Sequence, residues 1–293
     1  MPSKESIEIR KKIVRDKLRE DVPLQKQRKE WEEYALSLPL PEGIEFEEET
    51  IGDVPCLWVC REQSCDEHVI VYIHGGGLVE GSPLTHREFA ARLTKITQYS
   101  VLLIDYRLAP EHPYPAGLHD VQSVYRDLLN HRFHAKQIFV GGDSSGGGLA
   151  LSAVIQLRDE NVNLPAAIFA ISGVFDCALT GESMRTRADI DPFTSQEVLT
   201  HCCKLYAQGK DLRSPLISPL YADLSGLPPL LIQVGDHEIL LSDSLRLAEK
   251  IKQCEGVVSL KVWDSMWHTW PLYPGLPEAQ EAIEEIRDFL YFE

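Results

Sequence analysis

Short apolar runs with no polar break set the strongest limit on what this chain can become. Val69-Ile70-Val71-Tyr72-Ile73, Val101-Leu102-Leu103-Ile104 and Leu230-Leu231-Ile232 are too short for buried helices. They also lack the apolar-polar alternation of a strand with one wet face. Such runs suit strands covered on both sides in a parallel sheet. Further strands are expected at 45–50, 54–60, 138–141, 167–171 and 259–263, completing a set with 68–73, 101–105 and 230–234. Helical stretches fall between them near 86–97, 118–130, 145–159 and 242–253, with a last one at 277–291. Strand and helix in alternation predict a doubly wound α/β sheet.

Two segments stand outside that alternation. Residues 3–21 read as a helix with Ile7, Val14 and Leu18 on one side, broken by Pro23. A second helix follows with Leu24, Trp31, Ala35 and Leu38 at helical spacing, ended by Pro39 and Pro41. No strand pattern appears before residue 44. About sixty residues separate the strands at 167–171 and 230–234, far beyond the few residues usual between such elements. Within them Thr194 and Glu197 predict a capping box for a helix through Tyr206. The expected division is a helical cap from 1–43 and 177–217 over a core from 44–176 and 218–293.

The sequence Gly142-Asp143-Ser144-Ser145-Gly146 sits between a strand and a helix. Gly-x-Ser-x-Gly alone should arise by chance in ~10% of chains this long, so its context carries the argument. In that context it is the nucleophile-elbow pattern. The sharp turn projects Ser144 from the sheet edge at a helix N-terminus, where backbone N–H groups favour developing negative charge. A second glycine loop, His74-Gly75-Gly76-Gly77-Leu78, follows the strand at 68–73. Glycines there let bare backbone approach a substrate and aim N–H groups at an oxyanion. The expected donors are Gly76, Gly77 and the Ser145 N–H. An anion-binding loop is the competing reading, but no P-loop lysine follows. His74 reads as a structural histidine that pins its loop.

Hydrolases built on this elbow carry nucleophile, acid and histidine in that chain order. His268 is the one histidine downstream of the strand at 230–234 and its loop, and it follows the last expected strand. In Gly235-Asp236-His237-Glu238, both Asp236 and Glu238 can hold an imidazole tautomer and stabilise the imidazolium. His237-Glu238 is no zinc motif, because Leu241 stands where a second His would be needed.

Taken together these motifs resemble those of the hormone-sensitive-lipase-like esterases of the α/β-hydrolase fold. The resemblance rests on His74-Gly75-Gly76-Gly77, Tyr106-Arg107-Leu108-Ala109-Pro110-Glu111, the Tyr114-Pro115-Ala116 run leading to Asp120, and Gly142-Asp143-Ser144-Ser145-Gly146, and it covers nearly the whole chain. It implies an eight-stranded, mostly parallel sheet with an N-terminal helical cap and a second cap segment after the sixth strand. The acid of that family usually lies in an Asp-Pro-Leu sequence. Glu238-Ile239-Leu240 is the matching place, so the resemblance selects Glu238 over Asp236. The surroundings of His268 depart from the family, with Trp267, Thr269 and Trp270 beside it. Arg107 and Glu111 read as scaffold.

The resemblance implies a serine carboxylesterase acting on short- to medium-chain acyl esters through Ser144, His268 and Glu238, by way of an acyl-enzyme. It also implies a homodimer through the edge strand at 259–263. Trp31 and Tyr34 are candidate lining residues of the acyl pocket. Amide or formamide hydrolysis on the same triad is the rival chemistry. A non-catalytic ligand receptor of this fold is the other alternative, and the joint presence of Ser144, Glu238 and His268 argues against it. No cofactor or metal is expected.

Composition narrows the partners. With 29 Lys and Arg against 45 Asp and Glu, the net charge is -16. Such a surface repels phosphate backbones and anionic lipid heads, so a small-molecule ester is expected and nucleic acid is not. No run approaches the ~20 apolar residues of a membrane helix, and the first residues lack a signal peptide's apolar stretch. The cytoplasm is the simplest expectation. Seven scattered cysteines form no disulfide framework. Cys56, Cys60 and Cys65 lie close in sequence but lack the partners of a zinc site.

Overall fold

A computed structural model describes residues 2–15, 18–19, 21–62 and 67–292. Eight strands form one sheet: β1 Ile44–Ile51, β2 Val54–Arg61, β3 Val69–Ile73, β4 Ser100–Ile104, β5 Ile138–Asp143, β6 Ala167–Ile171, β7 Leu230–Gly235 and β8 Val258–Trp263. Their spatial order is β1-β2-β4-β3-β5-β6-β7-β8. β2 pairs antiparallel with both β1 and β4, and every other pairing is parallel. The expected strands are all present, with ends differing by at most two residues.

The helices are α1 Lys4–Arg10, α2 Leu24–Leu36, α3 Pro83–Thr97, α4 Ala116–His131, α5 Ser145–Asp159, α6 Ser183–Thr186, α7 Gln196–Ala207, α8 Leu241–Gln253 and α9 Pro277–Tyr291. The unbroken apolar strands divide their side chains between two cores. Val69, Val71, Ile73, Leu102, Ile104, Ile168 and Ala170 pack with α4, α5 and α8. Ile70, Tyr72, Val101, Leu103, Phe169 and Ile171 pack with α3 and α9 on the opposite face. Period-two alternation delivers successive residues to opposite sides, and helices on both sides keep each one dry.

From β3 the chain crosses to β4 on one side, and β5 then pairs with β3 on the other. The loops after β3 and β5 therefore diverge, opening a crevice at the carboxyl ends of the strands. Sheets of this type bind ligands at such a switch point. His74-Gly75-Gly76-Gly77 and Ser144 both occupy it.

The segments outside the alternation lie against loops at that same edge. Arg28 of α2 donates to the carbonyls of Val79 (2.8 Å) and Ala109 (2.9 Å) and pairs with Glu111. Arg10 of α1 reaches His237 Nδ1 (2.7 Å) and the Ser265 carbonyl. Arg15 ties the two segments together by donating to the Thr194 carbonyl (3.1 Å). Among the described residues no helix is long and apolar enough to cross a membrane.

Two local expectations need correction. The first helix, expected over 3–21, ends at Arg10, and the packed side chains of this segment are Ile9 within the helix and Ile13 beyond it rather than Ile7 and Val14, which are exposed. Asp16, Lys17 and Glu20 of that stretch lie outside the described residues. Its contacts run to α9, where Glu278 accepts from Ser3, and to the Trp267-Trp270 cluster. Tertiary docking thus chose a different face and length from those local periodicity suggested. The capping box expected at Thr194 and Glu197 is also displaced. Ser195 caps α7 by accepting from the Val198 N–H (3.3 Å), while the Thr194 N–H is turned to Asp191 Oδ1 (3.2 Å).

Candidate active site

β5 runs straight into α5, and the one residue between them is Ser144, with φ 51° and ψ -126°. A non-glycine residue in that region costs of order 1–3 kcal/mol and persists only where its surroundings impose it. Here the Ser144 N–H donates to the Ile171 carbonyl (2.8 Å), and its own carbonyl accepts from Gly147 (3.1 Å) and Val174 (2.9 Å). The turn points the hydroxyl toward the loop after β8.

That loop carries His268, whose Nε2 lies 2.9 Å from Ser144 Oγ. Its Nδ1 lies 3.1 Å from Glu238 Oε2. A carboxylate only accepts, so Nδ1 carries the proton and Nε2 is left to accept from the hydroxyl. Glu238 is wholly buried and His268 nearly so. Burial alone would lower the His268 pKa, but the hydrogen bond and charge of Glu238 hold it above its ordinary value near 6.5. Burial raises the Glu238 carboxyl, opposed by His268 and by donors from Gly235 and Ser172.

Asp236 is elsewhere. Its Oδ1 accepts from the Ser265 N–H (2.6 Å), and its side chain is one-third exposed. It fixes the turn after β8 and makes no hydrogen bond to His268. Of the two acids open to a reading of the residues alone, the one brought to the imidazole is Glu238.

The loop after β3 adopts backbone angles open mainly to glycine, with φ 112° at Gly76 and 67° at Gly77. A Cβ on Gly76 would fall 2.2 Å from the Glu80 carbonyl oxygen, and one on Gly77 would fall 2.7 Å from Cys202 Sγ. Leu78 N–H donates to Ser145 Oγ (3.1 Å), clipping this loop to the start of α5. Gly75 N–H donates to Asp143 Oδ1 (3.0 Å), and Tyr72 donates to the same oxygen (2.8 Å). Burial would raise Asp143, yet His86 beside it and the Tyr72 hydrogen bond hold it below the usual carboxylate range. Among the described residues none accepts from the N–H groups of Gly76, Gly77 or Ser145.

His74 is buried, stacked on Tyr106 at 4.3 Å between ring centres, with Nδ1 2.8 Å from the Gly75 carbonyl oxygen. Burial pushes its pKa down to about 3, so it stays neutral and pins its own loop. Tyr106 donates to the His74 carbonyl (2.8 Å). Arg107 pairs with Asp120 through three hydrogen bonds from Nε and Nη2. These residues brace the site without touching Ser144.

An apolar cavity opens beside Gly77 and Ser145, between α5 and α7, with Leu149, Val174, Cys203 and Tyr206 among its walls. Its free volume is ≈ 20 Å³, room for about one water. Trp31 and Tyr34 do not line it: Trp31 packs edge-on to His86, and Tyr34 is mostly exposed. Helical spacing in α2 identified its packed side correctly at Ala35, but could not say which helix closes the cavity. Cys56 and Cys60 lie in β2, and Cys65 is outside the described residues. Among the described residues no group of three His, Cys, Asp or Glu could hold a metal ion.

Sequence motifs passed over Ser172. It follows β6, is wholly buried, and donates to Glu238 Oε1 (2.7 Å) while accepting from the Thr269 N–H (3.0 Å). The only signal was a Ser-Gly pair at the carboxyl end of a buried strand, which is too common to single out.

Comparison with known proteins identifies the family and the fold. The sequence profile of the alpha/beta hydrolase fold family matches residues 70–272. An acetyl-hydrolase of Streptomyces hygroscopicus is 38% identical over 242 residues, covering 82% of this chain and 81% of that protein. An esterase of Acinetobacter venetianus is 38% identical over 232 residues, covering 78% and 76%. The crystal structure of an esterase from the bacterial hormone-sensitive lipase family superposes with a TM-score of 0.92 at 39% identity, over 99% of this chain and 98% of that one.

Proposed function

The chain belongs to the hormone-sensitive-lipase-like esterases of the α/β-hydrolase fold and is a carboxylic ester hydrolase, and from that premise we propose that Ser144, His268 and Glu238 act as its triad. The reading is carried by the unbroken chain of hydrogen bonds from Ser144 Oγ through His268 to Glu238. In acylation, His268 Nε2 takes the Ser144 proton as Oγ attacks the ester carbonyl. The carbonyl oxygen becomes negative and receives hydrogen bonds from Gly76, Gly77 and Ser145, aimed in advance at that point. The tetrahedral intermediate collapses, the protonated imidazole passes its proton to the departing alcohol, and an acyl-Ser144 remains. Water then repeats the attack by the same route and releases the acid. Glu238 holds the imidazole tautomer and offsets the charge that His268 gains.

Residues 1–43 and 177–217 serve as a cap over a core of 44–176 and 218–293. The acyl group enters the cavity between α5 and α7, on the side of Gly77 and Ser145. Its apolar walls suit short- to medium-chain acyl groups. The name acetyl-hydrolase given to a relative points the same way.

The experiment is labelling with an organophosphate ester alongside turnover of soluble acyl esters. Wild-type protein should take one label at Ser144 and lose activity in step. Ser144→Ala should lose turnover by about 10^6, as expected when triad members act as a unit. Near-wild-type hydrolysis by that variant would sink the assignment. Rates on matched ester and amide substrates should favour the ester.

A further inference from the structure

Resting on the triad reading above, we infer that Ser172 is a positioning residue that locks the acid and the base to each other. Its hydroxyl is bonded to both loops at the acid and the base themselves. It donates to Glu238 Oε1 (2.7 Å) and accepts from the N–H of Thr269 (3.0 Å), the residue next to His268. An amide N–H can only donate, so Thr269 occupies an acceptor position on Ser172. The lone hydroxyl proton is then directed at Glu238.

Glu238 thereby has both oxygens assigned. Oε1 receives Ser172 and the Gly235 N–H (2.6 Å), and Oε2 faces His268 Nδ1. The carboxylate is wholly buried, and the hydrogen bonds to its ionised form are what oppose desolvation there. Ser172 supplies one of two such bonds that come from outside the triad.

The backbone around this hydroxyl is strained on both sides. Ser172 has φ 50° and Thr269 has φ 54°. The Ser172 N–H donates to the Gln233 carbonyl (2.8 Å), and the Thr269 hydroxyl donates to the His268 carbonyl (2.8 Å). Two non-glycine residues in left-handed geometry, joined by one hydrogen bond, aim the Ser172 hydroxyl from β6 and the imidazole from the loop after β8. Among the described residues, no other hydrogen bond from the β6 side reaches the turn that follows His268.

The chemical consequence has a definite sign. Removing a donor to the Glu238-His268 pair makes its proton-poor form less stable. The pair then takes up a proton at higher pH, whichever member receives it. The acidic limb of the activity profile moves up accordingly, which a purely structural defect would not cause.

The test uses Ser172→Ala, Ser172→Gly, Glu238→Gln and the double variants. Ala removes the hydroxyl, and Gly removes it while relieving the positive φ, so agreement between them separates the hydroxyl from backbone strain. Should Ala fail to fold, Gly still decides. Both should lower kcat about tenfold to a hundredfold on a soluble acetate ester, with KM little changed. The acidic limb of kcat/KM should rise by roughly one pH unit. Neither should cost much further activity in the Glu238→Gln background, because Ser172 acts through that carboxylate. An unmoved limb, or an equal loss with and without Glu238, would overturn the inference while leaving the triad standing. Full activity in Glu238→Gln alone would overturn the triad and take this inference with it.

Discussion

Ser144, Ser172 and Thr269 hold positive φ, at 51°, 50° and 54°. Each costs of order 1–3 kcal/mol, and each is held by hydrogen bonds to a neighbouring strand or loop. On the proposed triad, strain of this kind would preorganise the hydroxyl and the imidazole and leave little reorganisation to the reaction. The same reasoning ranks the two acids. Glu238→Gln should cut kcat by on the order of 10^3–10^4, as loss of the charge that holds a base's tautomer does elsewhere. Asp236→Asn should cost far less, because Asp236 bonds the Ser265 N–H and not His268. The reverse ranking in steady-state kinetics would move the acid to Asp236. The pH dependence follows from the raised His268 pKa. Only the neutral imidazole accepts the Ser144 proton, so kcat/KM should climb with pH through a midpoint above 6.5. A profile flat from pH 5 to 8 would exclude a histidine base. The contribution of that contact to stability runs the other way: it is fully present below the unfolded histidine's pKa near 6.5 and is lost as pH rises through the folded value.

At the level of elements, the glycine loop is held between the start of α5 and the side of α7. Ser145 Oγ anchors it at Leu78, and Cys202 packs against Gly77. Gly77→Ala should therefore push the loop off its line as well as strain its backbone. The expected result is a fall in kcat of about 10^2–10^3, the size of one lost oxyanion donor. A variant that turned over normally would show that this N–H is not used. α2 is fastened by Arg28 to the far side of the same loop at the Val79 carbonyl, and to the loop after β4 at the Ala109 carbonyl and Glu111. Arg28→Ala should lower unfolding stability by about 1–3 kcal/mol, measured by chemical denaturation; an unchanged midpoint would show that the clamp contributes nothing. Periodicity misjudged α1, which ends at Arg10 and turns Ile9 inward, with Ile13 packed just beyond it. A seven-residue helix is governed by its docking site, here α9 and the two tryptophans, because local propensity alone cannot sustain so short a helix.

For the whole molecule, the sheet ends at β1 on one side and β8 on the other. β8 leaves Val262 and the preceding Val257 substantially exposed. An edge of this kind invites pairing with a second copy, and we expect a dimer joined there. Sedimentation should give about twice 33.1 kDa, and Val262→Lys should shift the protein toward the single-chain mass. A wild-type monomer at working concentration would sink the expectation. At this scale the inner strands were legible almost to the residue, because a strand buried on both faces is apolar nearly throughout. Ser144 and the glycine loop were legible because each needs unusual backbone angles that glycine marks. Glu238 was legible only through family likeness, since two acids in one loop look alike until the loop is folded.

Chain order and local chemistry were thus enough to specify an open parallel sheet, the turn bearing Ser144, and a histidine arriving last at the same edge. They could not specify which carboxylate meets that histidine, which helix closes the cavity, or that a serine after β6 bonds both loops. Those contacts join residues 66, 30 and 97 positions apart. Their geometry depends on how β6, β7 and β8 lie side by side, and side-chain identity along a one-dimensional chain carries no record of that spacing.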